Sequence, residues 1–159
     1  MPTLTEIRDA IHAKVAGVTG VGVVHKYERY ANKTSDLAAK YFSGTVPNKR
    51  LTGWFIRRAS KRVTGPAVGR FVIWNEWMIR GYMSLEDAEA TELTFDDLVE
   101  AICAAFQADE TLGGVITGTV QDVDDGNLVG IQVEESGPVL FAGVLCHSAR
   151  LKLYTQHFE

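Results

Sequence analysis

The chain has 159 residues, of which 46% are hydrophobic and 23% are charged, and this balance excludes a globally disordered protein. No apolar run approaches the roughly 20 residues of a membrane-spanning helix, and residues 1–6 have neither the basic flank nor the apolar stretch of a signal peptide. We therefore expect a single domain over residues 1–159 that is made and kept in the cytoplasm, with no membrane partner.

The net charge is only −4, but the charges are divided unevenly along the chain. Residues 1–83 hold 14 Lys and Arg against 5 Asp and Glu, whereas residues 84–159 hold 2 against 15. Two interpretations stay open. The basic and acidic halves pair within one fold, or they meet between copies arranged head to tail in a ring.

The first 50 residues predict a helix, a strand and a long loop. Thr3 and Glu6 have the spacing of a capping box, and apolar residues follow at helical intervals, which predicts a helix over residues 4–16. Residues 21–30 are typical of a strand. Residues 31–50 are polar and basic, and they predict a long mobile loop in which residues 36–42 can form a short helix.

Two strands and a helix follow. Residues 51–63 and 70–83 are rich in aromatic and β-branched side chains, and they predict an antiparallel pair joined by a turn at residues 64–67. Both faces of the second strand are partly apolar, which places it inside the sheet. An acidic connector leads to a helix with Thr94 as its N-cap. The apolar stripe of this helix contains Phe95, Leu98, Val99, Ile102, Cys103 and Phe106.

The remaining chain predicts strands at residues 115–123 and 128–134 with a turn at 124–127, and then a break at Gly137 and Pro138. Residues 139–158 are one long strand or two strands that bend near Gly143. The order of elements predicts an α+β fold. We expect a mainly antiparallel sheet packed by two helices, with a long loop and a protruding hairpin.

No motif for catalysis or cofactor binding is present, so the sequence predicts a protein that is not an enzyme and takes no cofactor. Cys146 and His147 are adjacent, but no other residues have the spacing of metal ligands. The turn at residues 122–127 resembles a calcium loop but lacks the closing glutamate at the required position. Cys103 and Cys146 are expected to be buried free thiols.

Basic residues are concentrated around the predicted hairpin. The candidate interface residues are Lys49, Arg50, Arg57, Arg58, Lys61, Arg62 and Arg70. They are interpreted first as the exposed, charged edge of a hairpin that blocks unwanted strand pairing. Two alternatives are a nucleic-acid site, since aromatic residues lie among them, and a ring surface or lumen that contacts DNA phosphates.

The order of these features resembles the tail terminator proteins of long-tailed bacteriophages, including the family of lambda's minor tail protein U. The resemblance covers nearly the whole chain and rests on an N-terminal helix, a strand at residues 24–28, GWFIR at 53–57, FVIWNEW at 71–77, a helix at 95–106 and CHSARLKL at 146–153. No catalytic residue belongs to this resemblance.

The resemblance implies a structural virion protein that forms a homo-oligomeric, hexameric ring at the head-proximal end of the tail. Its implied partners are the tail tube protein, whose polymerisation it ends, and a head-completion or neck protein. DNA would pass through the lumen, and assembly would take place in the cytoplasm of the host bacterium. The alternatives are a head–tail connector or tail tube protein, a small ligand-binding domain, and a nucleic-acid-binding module.

Overall fold

The computed structural model describes residues 1–44, 49–123 and 126–159. Their elements, in chain order, are α1 (Leu4–Ala16), β1 (Val23–His25), α2 (Thr34–Ala39), β2 (Phe42–Ser43), β3 (Arg50–Ala67), β4 (Arg70–Ser84), a 3₁₀ turn (Asp87–Glu89), α3 (Thr91–Gln107), β5 (Val120–Val123), β6 (Gly126–Val129), β7 (Gln132–Phe141) and β8 (Val144–Phe158). None of the helices in these ranges is long and apolar enough to cross a bilayer.

The main sheet has the strand order β1-β3-β4-β8-β7, with β2 also paired to β3. β1 runs parallel to β3, and the other neighbours are antiparallel. β5 and β6 form a separate pair. This architecture confirms the predicted α+β class. It also confirms that β4 lies inside the sheet, between β3 and β8.

The N-terminal helix forms as predicted. The Thr3 hydroxyl accepts from the Glu6 backbone N–H at 3.2 Å, and the Glu6 carboxylate accepts from the Thr3 backbone N–H at 2.6 Å. This capping box satisfies two N–H groups that have no partner within the helix. The apolar stripe, Ile7, Ile11 and Val15, is buried against the sheet.

One face of the sheet packs against α1 and α3 and forms the larger core. Trp54 of β3 and Trp77 of β4 are fully buried there, and the Trp54 ring stacks on Phe95 of α3 with centroids 5.9 Å apart. Gly81 of β4 lies directly opposite Trp54. A Cβ at Gly81 would overlap the Trp54 ring, so the close approach requires glycine.

The other face carries a smaller core, in which Tyr41, Leu51, Phe55, Tyr82 and Cys146 are buried. The Phe141 ring of β7 stacks on Tyr82 with centroids 3.8 Å apart. Tyr41 packs edge-on against both rings, with centroids 5.9 Å from Tyr82 and 5.0 Å from Phe141. The sheet is therefore covered on both faces near the start of β3.

The predicted strand at residues 21–30 is wrong in length, since only Val23–His25 pair with β3. The predicted loop contains the short helix α2 and the strand β2, and its Tyr41 is buried in the smaller core. Burial of this aromatic ring fixes a segment whose polar neighbours suggested a mobile loop. Residues 45–48 of that loop lie outside the described residues.

The hairpin turn and the start of α3 also differ from prediction. β3 continues to Ala67 and the hairpin turns at residues 68 and 69. α3 begins at Thr91, not after a cap at Thr94. The Thr91 hydroxyl accepts from the Glu86 backbone N–H at 2.9 Å and lies 2.8 Å from His147 Nε2. These contacts from outside the helix fix its start.

The C-terminal strands follow a different division from the one predicted. β5 begins only at Val120, and β7 runs through Gly137 and Pro138 without a break. Pro138 is tolerated because β7 pairs on one side only among the described strands. Residues 139–158 form parts of two antiparallel strands that turn at residues 142–143. Residues 124 and 125 of the predicted turn lie outside the described residues.

Candidate assembly interface

Two strand edges of the main sheet carry opposite charge. We define the basic edge as residues 57–67 of β3 and the acidic edge as β7. Every residue of the basic edge is exposed. Within the described chain, β1 pairs with β3 only as far as Phe55, and no strand other than β8 pairs with β7. Both edges therefore offer free backbone N–H and C=O groups.

The charges on the two edges are complementary. The basic edge contains Arg57, Arg58, Lys61 and Arg62 and no acidic residue, whereas the acidic edge contains Glu134 and Glu135 and no basic residue. Glu134 is shared with Arg150 and Lys152 of β8, at 3.3 and 2.6 Å. Glu135 makes only a long contact of 3.7 Å to Arg150, and its side chain is 58% exposed.

A β-bulge divides the cations of the basic edge between the two faces of the sheet. Arg57 lies opposite Met78, and Arg58 lies opposite Trp77. The register then shifts between Arg58 and Ser60, so that Lys61 lies opposite Asn75. In a regular strand Arg58 and Lys61 would point to opposite faces. The extra residue at position 59 returns both to the face covered by α1.

On the opposite face, the cations stack on aromatic rings or meet carboxylates. The Arg62 guanidinium lies 5.4 Å from the centroid of Trp74. Arg57 donates to the Glu28 carboxylate at 3.1 Å. Both arrangements hold a charge at the surface in a defined position.

The three other predicted interface residues lie outside the basic edge. Lys49 lies 5.3 Å from the Phe42 ring centroid, Arg50 pairs with Glu89 at 2.8 Å, and Arg70 lies 5.6 Å from the Phe158 ring centroid. β4 pairs with β8 as far as Val72, so only the hairpin tip that includes Arg70 projects beyond β8. The structure therefore places Arg57, Arg58, Lys61 and Arg62 along one strand edge, two on each face of the sheet, and leaves Lys49, Arg50 and Arg70 outside that edge.

Few charges of the basic first half are neutralised by the acidic second half. Among the described residues, Lys14 pairs with Asp109 at 3.0 Å and Arg50 pairs with Glu89. Lys26 and Arg57 pair instead with Asp9 and Glu28, which belong to the first half themselves. Ion pairs between the two halves within one chain thus neutralise only a small part of the positive charge of the first half.

Cys103 lies on α3, whereas Cys146 lies on β8 directly opposite Val139 of the acidic edge. Cys103 and Cys146 are buried free thiols, as predicted. Burial raises the pKa of Cys146 to about 11, so its thiol is protonated near pH 7. Among the described residues, no group of three potential ligands is arranged to hold a metal ion. The calcium-like turn falls partly on residues outside the described ranges.

Sequence reasoning missed two residues on the inner face of the sheet. Asn75 of β4 and His157 of β8 are buried, and both line a cavity together with Arg58 and Lys61. The sequence does give one signal, since Asn75 is a polar residue between Ile73 and Trp77 on the face of the strand that is otherwise apolar. The strand pairing that brings His157 close to it has no local signal in the sequence.

Comparison with known proteins adds no assignment. No protein-family model matches the chain, and no curated protein matches it by sequence. The family expected from the order of sequence features therefore stays a prediction.

Proposed function

We propose that this chain is a structural virion protein that forms a ring on the head-proximal end of a phage tail tube. The ring ends polymerisation of the tail tube protein and offers a surface to a head-completion protein. The observation that carries the proposal is the pair of free strand edges with opposite charge on one sheet. An edge that differs from the edge it binds gives a head-to-tail contact, which forms a ring when the rotation between copies closes and a filament when it does not.

The contact between copies is a strand addition. The basic edge of one copy lies along the acidic edge of the next, and backbone hydrogen bonds join the two sheets. Successive strands in a sheet are rotated by about 20–25°, so copies joined in this way are rotated relative to one another. Opposite charges select the basic-to-acidic pairing over the pairing of like edges.

The remaining charges have a place in this assembly. Lys49, Arg50 and Arg70 lie beyond the basic edge, and cations that face the lumen make weak, sequence-independent contacts with the phosphates of passing DNA. The acidic second half of the chain faces a partner of the opposite charge. Assembly takes place in the cytoplasm of the host bacterium, and the finished ring is part of the virion tail.

The test is the mass of the purified protein in solution, measured by light scattering across protein and salt concentration. We expect closed rings of about six copies, no filaments, and dissociation at high salt because exposed charges are screened. Filaments would favour a tail tube protein instead. A monomer under every condition contradicts a ring that forms from this chain alone.

Two charge reversals sharpen the test. Arg62→Glu lowers the charge of the basic edge from +4 to +2, and Glu135→Lys raises that of the acidic edge from −2 to 0, so each variant alone is expected to form rings more weakly. In a 1:1 mixture the unchanged basic edge of one variant meets the unchanged acidic edge of the other, so the mixture is expected to associate more strongly than either variant alone. Lys33→Glu reverses an exposed charge at the start of α2, on neither edge, and is the matched control that should still form rings.

Termination itself is tested with the tail tube protein from the same phage. Added to growing tubes, the ring-forming protein is expected to shorten them and to appear at one end in electron micrographs. The Arg62→Glu variant alone should shorten the tubes less than the parent protein does. Equal tube lengths with the parent protein and with no protein added would contradict the terminator function.

A further inference from the structure

A cavity of about 170 Å³ lies between the start of α1 and the inner face of the sheet. Its polar lining comes from β3, β4, β8 and both ends of the chain. Arg58 and Lys61 belong to the basic edge, Asn75 to β4, and His157 to β8, while Thr3 caps the helix above them. Glu159 is the one acidic residue among the lining residues that the structure describes.

Two side chains at the back of the cavity have polar atoms without a partner. Asn75 is 2% exposed and His157 is 5% exposed. Asn75 Oδ1 and His157 Nδ1 make no hydrogen bond with any described residue. A buried polar atom left without a partner costs about 1–3 kcal/mol. Both atoms are almost fully shielded from solvent, so a group that enters the cavity reaches them only when the Asn75 amide or the His157 ring rotates, and it then removes this cost.

The chemistry of the lining favours a negatively charged group. Arg58 and Lys61 form no ion pair with another described residue, and the bulge at position 59 turns both toward the cavity side of the sheet.

The two buried side chains can complete such a site. Asn75 presents either its oxygen or its N–H₂ group, because a half-turn of the amide exchanges them. Burial, and then the nearby Lys61 cation, lower the pKa of His157, so the ring is neutral near pH 7. A neutral imidazole carries one N–H, and the tautomer decides whether Nδ1 donates.

We infer that this cavity binds an oxyanion, the carboxylate or phosphate group of a ligand, held at its mouth by Arg58 and Lys61 and at its back by Asn75 and His157. The bound group is either a free anion or the carboxylate of an Asp or Glu side chain from a second copy. The site does not depend on the proposed ring, because its polar lining belongs to one chain.

The experiment follows the imidazole resonances of His157 by NMR while inorganic phosphate, or acetate, is added in place of chloride at constant ionic strength. We expect a saturable shift with at least one of the two anions. The double variant Arg58→Gln/Lys61→Gln should bind at least about tenfold more weakly, the loss expected when charge-assisted hydrogen bonds are removed.

The matched control is Arg57→Gln/Arg62→Gln, which removes the same charge from the opposite face of the same strand. It should keep the saturable shift. Equal weakening in the two double variants would overturn the site, because it would reflect net charge alone.

A dilution series separates the two sources of the anion. If a second copy supplies a carboxylate, the His157 resonances change with protein concentration, and phosphate competes with that change. If the anion is free, phosphate or acetate acts at the lowest protein concentration and dilution alone has no effect. No saturable shift with either anion and no effect of dilution would overturn the inference and leave water as the occupant of the cavity.

Discussion

The two halves of β3 have the same partner but opposite surroundings. Residues 51–56 are buried, with Trp54 in the larger core and Phe55 in the smaller one, whereas residues 57–67 are exposed throughout. Both halves pair with β4. The exposed half keeps its strand form because β4 is held from its other side by β8. A strand with exposed, charged side chains can thus keep its strand conformation when the neighbouring strand is itself paired on both sides.

The largest expected difference between the two halves comes from removing a large side chain in each. Trp54→Ala empties a fully buried site and is expected to lower the free energy of unfolding by about 3–5 kcal/mol. Val63→Ala, at a position that is 50% exposed, should change it by less than about 0.5 kcal/mol. Urea unfolding measures both changes in the free energy of unfolding. Similar changes would contradict the conclusion that β3 contributes to the core only through residues 51–56.

A smaller effect is expected from adding one methyl group beneath Trp54. Gly81→Ala places a Cβ against the Trp54 ring and should destabilise the fold by about 1–3 kcal/mol through overpacking. Gly137→Ala is the control, since a Cβ on that β7 residue meets nothing within 4 Å. Equal stability of the two variants in urea would mean that β4 and the Trp54 ring can move apart to admit the methyl group with no loss in the free energy of unfolding.

Alkaline pH should weaken the smaller core, which covers one face of the buried half. Burial raises the pKa of Cys146 from 9.0 to about 11 and that of Tyr41 from 10.0 to about 12, so both neutral forms are favoured in the folded state. Each group stabilises the fold below its unfolded pKa and loses that contribution as the pH rises through its folded pKa. Stability should therefore fall between pH 9 and 12.

The control for this pH dependence is the variant Cys146→Ala/Tyr41→Phe, which removes both groups from the smaller core. Its free energy of unfolding, measured by urea titration at each pH, should decline less steeply over the same interval. An identical decline in the variant and the parent protein would assign the effect to other groups.

The smallest effect is expected at the ion pair between Arg57 and Glu28. Arg57 is 57% exposed in this pair, so solvent screens the attraction. A double-mutant cycle with Arg57→Gln and Glu28→Gln should give a coupling energy of about 0.2–1 kcal/mol that decreases with added salt. A coupling that persists in high salt would mean that the start of the basic edge is less open to solvent than the structure indicates.

Sequence reasoning succeeded where local pattern and burial agree. The stripe of Ile7, Ile11 and Val15 predicted α1 with its bounds, and the stripe that contains Phe95, Leu98 and Ile102 predicted the buried face of α3. The aromatic segments predicted the hairpin of β3 and β4. In these elements the buried side chains recur at the regular intervals of a helix or a strand, and that spacing can be seen directly in the sequence.

It failed where contacts from distant residues decide the outcome. Pro138 predicted a break, but the break does not occur because that residue lies on an edge strand. Thr94 has the features of a cap, yet the contacts of Thr91 with Glu86 and His147 set the start of α3. The cavity residues Asn75 and His157 meet only through the pairing of β4 with β8.

The bulge at position 59 makes the length of β3 matter more than its composition. Successive side chains of a strand point to opposite faces, and one additional residue reverses the face of every side chain that follows it. A substitution near position 59 changes a single side chain. An insertion or deletion there would exchange the cations of the outer face for those of the cavity, and so relatives of this protein would have to preserve the spacing of Arg58 and Lys61 to preserve either surface.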